Sequence, residues 1–222
     1  DFFEELVIEA NEDLQLQAAT TSLSGKIHEA MQQHLAQLAV EAARAVLEER
    51  PLGLVADPTR VKILTQTGGA MTESRLVTGL VLGKKRATDA MPKHITSGKI
   101  ALVDGGLERR ELMSNVKLNV SSPGVLEQFR QQEKTMLMEQ VDHLVDLGVT
   151  LLACKEGIDD DMHGVLANAG IQAYRRVARA DLDLLARGTN ATLNNDVKGL
   201  NEGDLGVFIS SKNERWNGIM HW

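Results

Sequence analysis

The 222 residues carry 24 Lys and Arg against 31 Asp and Glu, a formal net charge of −7, with 43% hydrophobic and only 3% aromatic residues. This is ordinary globular composition, and the acidic balance, with a pI near 5.4, argues against the clustered Lys and Arg of a nucleic-acid-binding surface. No apolar run approaches the roughly 20 residues that span a bilayer, and the lone Cys154 excludes a disulfide framework or a cysteine-built zinc site.

Cys154 sits in an apolar run and is expected to be a small core residue in a reducing, cytoplasmic setting. No signal peptide is expected, and the missing initial Met suggests a segment of a longer chain. With so few aromatics, the core must come from Leu, Val, Ile, Ala and Met.

The first fifty residues read as entirely helical. From Ser24 to Leu47, apolar side chains recur at Ile27, Met31, Leu35, Leu38, Ala42 and Val46, one face of a helix with Ser24 as its cap. Arg50-Pro51 and the stretch LGLVADPT end that helix. From Val61 the texture turns to short β-rich runs, VKILTQTGG and RLVTGLVLG, followed by the compact strand KIALVDGGL and the alternating NVKLNV. A long helix is predicted from Pro123 to Leu147, capped by Ser121 or Ser122 and stopped by Gly148. Beyond it, VTLLACK, IQAYRRV and ATLNND read as strands, and DDDMHGVLANAG and ADLDLLARG as helices ending in glycine. Strands alternating with short helices imply parallel βαβ crossovers, hence an α/β fold. The stretch LGVFISSKNERWNGIMHW reads as strand pieces leaving the domain.

The search for chemistry finds little. SLSGK has the Gly-Lys of a phosphate loop, but Thr20 and Ile27 occupy the positions that need Gly and Ser or Thr, so it reads as a helix start. Asp159-Asp160-Asp161 with His163 is the densest set of potential metal ligands, yet consecutive carboxylates diverge around a helix. A helix N-terminus, where acids complement the dipole, is the plainer reading. The pairs Gly68-Gly69 and Gly105-Gly106 are read as turns, and no Ser, Cys or Lys has a His at motif spacing.

The segment SSPGVLEQF at 121–129 opens the long helix with Val125, Leu126 and Phe129, which the polar run Arg130 to Thr135 separates from the apolar rhythm resuming at Met136. The three form either an exposed contact patch or a satellite cluster under NVKLNV, against Val116, Leu118 or Val120.

The order of segments resembles the group II chaperonins, the archaeal thermosome and its eukaryotic cytosolic relative. SLSGKIHEAMQQHLAQLAVEAARAVLEE resembles their ascending intermediate-domain helix, and the run from VKILTQTGG through AMPKHITSGKIALVD their apical domain, with Ala90 in place of a glycine. LEQFRQQEKTMLMEQVDHLVDLGVTLLACKEGID is similar to the helical protrusion and the strand behind it, IQAYRRVARADLDLLARGTNA to the later strand and helix, and GDLG to the apical exit. The likeness runs from about Thr20 to Gly206, and GGLERRELMSN departs from the Glu-rich sequence usual there.

The resemblance implies an intermediate-domain segment at 1–55, an apical substrate-binding domain at 56–206 with a protrusion about 110–147, and a return segment at 207–222. It implies a chaperone that binds non-native polypeptides and supplies the built-in lid of a ring of neighbouring chaperonin subunits. Contact residues would be Val125, Leu126 and Phe129 on the protrusion. Asp181, Asp183 and Arg187 would serve on the later helix, whose Leu182 and Leu185 face the core. ATP and Mg would be used by an equatorial domain of the parent, whose GDGTT-type loop is absent here, so no cofactor, metal, nucleic acid or membrane is expected for this segment. The rival readings are an α/β enzyme with a small-molecule or metal site near 157–163, and an adaptor using the chaperonin fold for protein interaction.

Overall fold

A computed structural model describes residues 11–51, 53–65, 67–108, 123–213 and 218–221, and of 123–126, 213 and 218–221 the backbone alone. Packing divides the chain into two compact units, Asp1–Val77 and Thr78–Trp222.

The first unit opens with helix α1, Glu12–Leu23, capped by Asn11, whose side-chain oxygen accepts from the Leu14 N–H at 2.9 Å. Helix α2, Glu29–Ala45, follows. The single helix expected from Ser24 onward is therefore corrected: Ser24 closes α1 through its N–H to the Thr21 carbonyl, and Gly25, at φ +73°, turns the chain. His28 takes the capping role for α2, its Nδ1 accepting from the Ala30 N–H. Arg44 clasps the helix pair, donating to Gln15 Oε1 at 2.9 and 3.0 Å and pairing with Glu12. Strands β1, Leu47–Arg50, and β2, Gly53–Ala56, form an antiparallel hairpin, so the first fifty residues are not all helical. The sequence VKILT forms no strand either, and Ile63 is 82% exposed. Among the described residues of this unit only Ala36 is a buried hydrophobic.

The second unit contains β3 (Leu80–Leu82), β4 (His94–Ile95) and β5 (Gly98–Val103). Helix α3 (Pro123–Asp146) and β6 (Val149–Cys154) follow, then α4 (Asp160–Asn168), β7 (Gln172–Tyr174) and α5 (Arg179–Thr189). The unit closes with β8 (Leu193–Asn194), β9 (Gly206–Phe208), β10 (Ser210–Asn213) and β11 (Gly218–His221). The central sheet runs β7-β6-β5-β8, all parallel, with β9 antiparallel along the first half of β5.

Strand alternation sorts two cores. Ala101, Val103, Leu152 and Cys154 face α3 and α4 through Leu137, Val141, Leu144, Met162 and Leu166. Ile100, Leu102, Leu151 and Ala153 face α5 through Leu182 and Leu185. This is the α/β fold expected from the alternating strands and helices.

The stretch from Leu205 does not lead away as loose strand pieces. Its strands β10 and β11 complete an antiparallel sheet, β3-β11-β10-β4. A buried polar clasp ties this second sheet to the first: Ser211 Oγ donates to Gln172 Oε1 at 2.5 Å, and Gln172 Nε2 donates to the Pro92 carbonyl at 2.9 Å. Both side chains lie in fully buried residues, and each hydrogen bond removes what would otherwise be a desolvation penalty.

Candidate functional site

Two helices carry the residues singled out by sequence. In α3 the buried stripe is Leu137, Val141 and Leu144, at the spacing of one helix face. Phe129, 41% exposed, lies two turns before Met136, 43% exposed, on the flank of that stripe. Met138 and Val145 are exposed on the opposite flank. From Met136 to Leu147 the helix thus packs on the core through one face only. The polar break from Arg130 to Thr135 is exposed apart from the half-buried Glu133. The side chains of Val125 and Leu126, and Val116, Leu118 and Val120, lie outside the described residues.

Helix α5 buries Leu182 and Leu185 completely. Its outward side carries a chain of ion pairs that the sequence gives no means of connecting. Asp104, just beyond β5, meets Lys155 Nζ at 2.7 Å through one oxygen and Arg179 at 2.8 Å through the other. Arg179 Nε in turn donates to Asp183 at 3.0 Å, and Arg187 Nε donates to the Asp183 carbonyl at 3.3 Å. The hydrogen bond from Lys155, with the positive charges of Lys155 and Arg179, holds the Asp104 carboxyl below its usual range despite partial desolvation. Asp181, half-buried, lies in the first turn, where its charge complements the helix dipole.

The acidic cluster behaves as a helix start. Asp159 caps α4 by accepting from the Asp161 N–H at 3.2 Å, and Asp160 lies 3.6 Å from both His163 and Arg175. Among the described residues no group of three or more His, Cys, Asp or Glu side chains is placed to hold a metal ion. The loop at 157–163 is closed down on the strand ends. Leu107 N–H donates to the Gly157 carbonyl at 3.0 Å, Asp159 N–H donates to the Leu107 carbonyl at 2.8 Å, and a Cβ on Gly106 would meet the Gly157 oxygen. Cys154 is fully buried, and desolvation, reinforced by the charges of Glu108 and Glu156, pushes its thiol up to about 12. Among the described residues no helix is long and apolar enough to cross a membrane.

Residues 3–217 match the TCP-1/cpn60 chaperonin family. A thermosome subunit of Pyrococcus horikoshii is 37% identical over 196 residues, which cover 88% of this chain and 36% of that protein. Thermosome subunit beta of Archaeoglobus fulgidus is 37% identical over 188 residues, 85% of this chain and 34% of that one. The chain therefore spans about a third of the length of these relatives. A solved structure, the open-state monomer of a group II chaperonin from Methanococcoides burtonii, superposes with a TM-score of 0.73 at 26% identity, covering 99% of this chain and 50% of that chain.

Proposed function

Because the chain belongs to the TCP-1/cpn60 chaperonin family, we propose that it binds non-native polypeptides and forms part of the movable lid of a chaperonin ring. Residues 56–206 are assigned to the apical domain and the flanking 1–55 and 207–222 to intermediate segments, with the protrusion at about 110–147. ATP and Mg belong, on this reading, to a nucleotide-binding domain of the longer polypeptide, and neighbouring subunits are further partners. The contact surfaces are Val125, Leu126 and Phe129 on α3 and Asp181, Asp183 and Arg187 on α5.

One observation carries the reading: Phe129 is 41% exposed on a helix whose buried stripe, Leu137, Val141 and Leu144, lies further along. Among the described residues no core cluster includes Phe129. Burial against an incoming apolar segment would return about 1.5–3 kcal/mol for such a side chain.

The test is the double substitution Leu126→Ser with Phe129→Ser. Capture of a permanently unfolded polypeptide, followed by fluorescence anisotropy, should weaken by roughly tenfold or more, the equivalent of one lost apolar contact. The melting temperature should stay within about 3 °C of the parent. Unchanged capture, or a large fall in melting temperature, would remove the lid reading and favour a packing role for these side chains.

A further inference from the structure

We propose that Asp104 is the positioning residue for the polypeptide-contacting face of α5, an inference that rests on the assignment of that face to client contact. The N-cap of α5 is Ala178, which offers no side-chain hydrogen bond to the first turn. In the preceding turn the Val177 side chain is buried, and the backbone is held as well: Arg176, at φ +55°, gives its N–H to the Glu156 carbonyl at 2.9 Å, and Val177 gives its N–H to the Cys154 carbonyl at 3.0 Å. In the first turn of the helix Leu182 is buried in the core, and Arg179 pairs with Asp104.

Asp104 is well placed for this. It follows the central strand β5, and its backbone N–H donates to the Asn194 carbonyl of β8 at 2.8 Å. Its side chain is only 25% exposed, and each oxygen meets a different cation, Lys155 beyond β6 and Arg179 on α5. A guanidinium is a rigid planar fork, so fixing one nitrogen fixes the direction of the others. With one arm on Asp104, Arg179 presents Nε to Asp183 one turn further along. Two charged side chains of α5, Arg179 and Asp183, are thereby set in one pattern whose fixed point is Asp104, a residue outside the helix. Arg187, at the far end of the same exposed face, donates Nε to the main-chain carbonyl of Asp183.

The test compares four single variants of the chain, Asp104→Asn, Asp104→Glu, Arg179→Gln and Arg187→Gln, in capture of reduced, carboxymethylated lactalbumin. Asp104→Asn and Arg179→Gln should each weaken capture about threefold to fivefold, the scale of a partly exposed ion pair. Asp104→Glu should recover most of the loss, and the melting temperatures should stay within about 3 °C of the parent. Arg187→Gln, which touches no atom of Asp104, should weaken capture on its own.

If Asp104→Asn and Arg179→Gln bind like the parent while Arg187→Gln loses affinity, the face is a contact surface and Asp104 does not position it, which overturns the proposal alone. Unchanged capture in every variant removes both the proposal and the α5 contact reading. A loss that tracks a falling melting temperature, with no recovery in Asp104→Glu, makes the network purely structural and also overturns the proposal. Should Asp104→Asn not fold, Arg179→Gln severs the same link from the other side and decides the matter.

Discussion

Asp104 also has a thermodynamic consequence of its own. Its carboxyl is held below the usual range by the hydrogen bond from Lys155 and by the cations around it. A group whose folded pKa is depressed lends stability at pH values above its unfolded pKa, about 3.9 for aspartate, and loses it as pH falls through the lower folded value. Asp104→Asn should therefore lower the denaturant midpoint slightly at pH 7, and the difference from the parent should close below about pH 4. A gap that stays constant down to pH 2 would show that the ionised form is not what matters. That DDDMH begins a helix was legible, because acidic residues complement the dipole there, and Asp159 proves to be its cap. Asp104 was not legible as a partner of Arg179. The two are distant in sequence, and only the return of the chain from β7 to α5 brings them together. Arg86, buried, donates to the Met91 carbonyl five residues further on.

At the scale of elements, α3 shows how one helix can serve two surfaces. Its buried stripe is a strict helical repeat, so Leu144→Ala should cost about 2–5 kcal/mol through lost contacts and a residual cavity. Met138→Gln, on an exposed flank, should stay within about 0.5 kcal/mol. Urea unfolding of the two variants checks the contrast, and equal costs would mean that the exposed flank is packed in solution. Helix α3 was expected over 123–147 and runs Pro123–Asp146, because Pro123 and Gly148, the latter at φ +73°, are strong local signals. The strands β5, β6 and β7 were equally plain from their apolar runs. The end of α5 was not: Gly188 remains helical, and Asn190, at φ +58°, takes the left-handed position that stops the helix. Asparagine shares that tolerance with glycine, so the sequence offered two stops and the helix uses the later. The hairpin β1-β2 was missed because its first strand continues the apolar and charged texture of α2. The sheet β3-β11-β10-β4 was missed because its pairings are long-range, and local pattern carries no register.

Across the whole molecule, burial is distributed unevenly. The described part of the first unit buries Ala36 alone among its hydrophobic residues, whereas the second unit builds two aliphatic cores on either side of a parallel sheet. Protection from hydrogen exchange follows buried apolar contact and hydrogen-bond density. Amides of α1 and α2 should therefore exchange through openings of much lower free energy than those of β5 and β6, as read by exchange mass spectrometry at neutral pH. Equal protection in the two regions would show that the first unit is stabilised by something other than its own packing. The α/β class of the second unit could be read from the alternation of strands and helices, and its closed strand ends could not. Those depend on loops at Gly106 and Gly157 fitting against one another, a steric match that composition does not record.

Strands β3 and β11 are hydrogen-bonded neighbours, Leu82 opposite Gly218 and Leu80 opposite Met220. The first and last strands of the second unit thus sit one ladder spacing apart, about 4.8 Å. Such a body can be spliced into another chain, or its ends joined and a new opening cut in a surface turn, with little distortion of its interior. The same seam acts as a zipper: a pull applied across the two ends must first part the short β3-β11 ladder, while the apolar layers behind it remain shut.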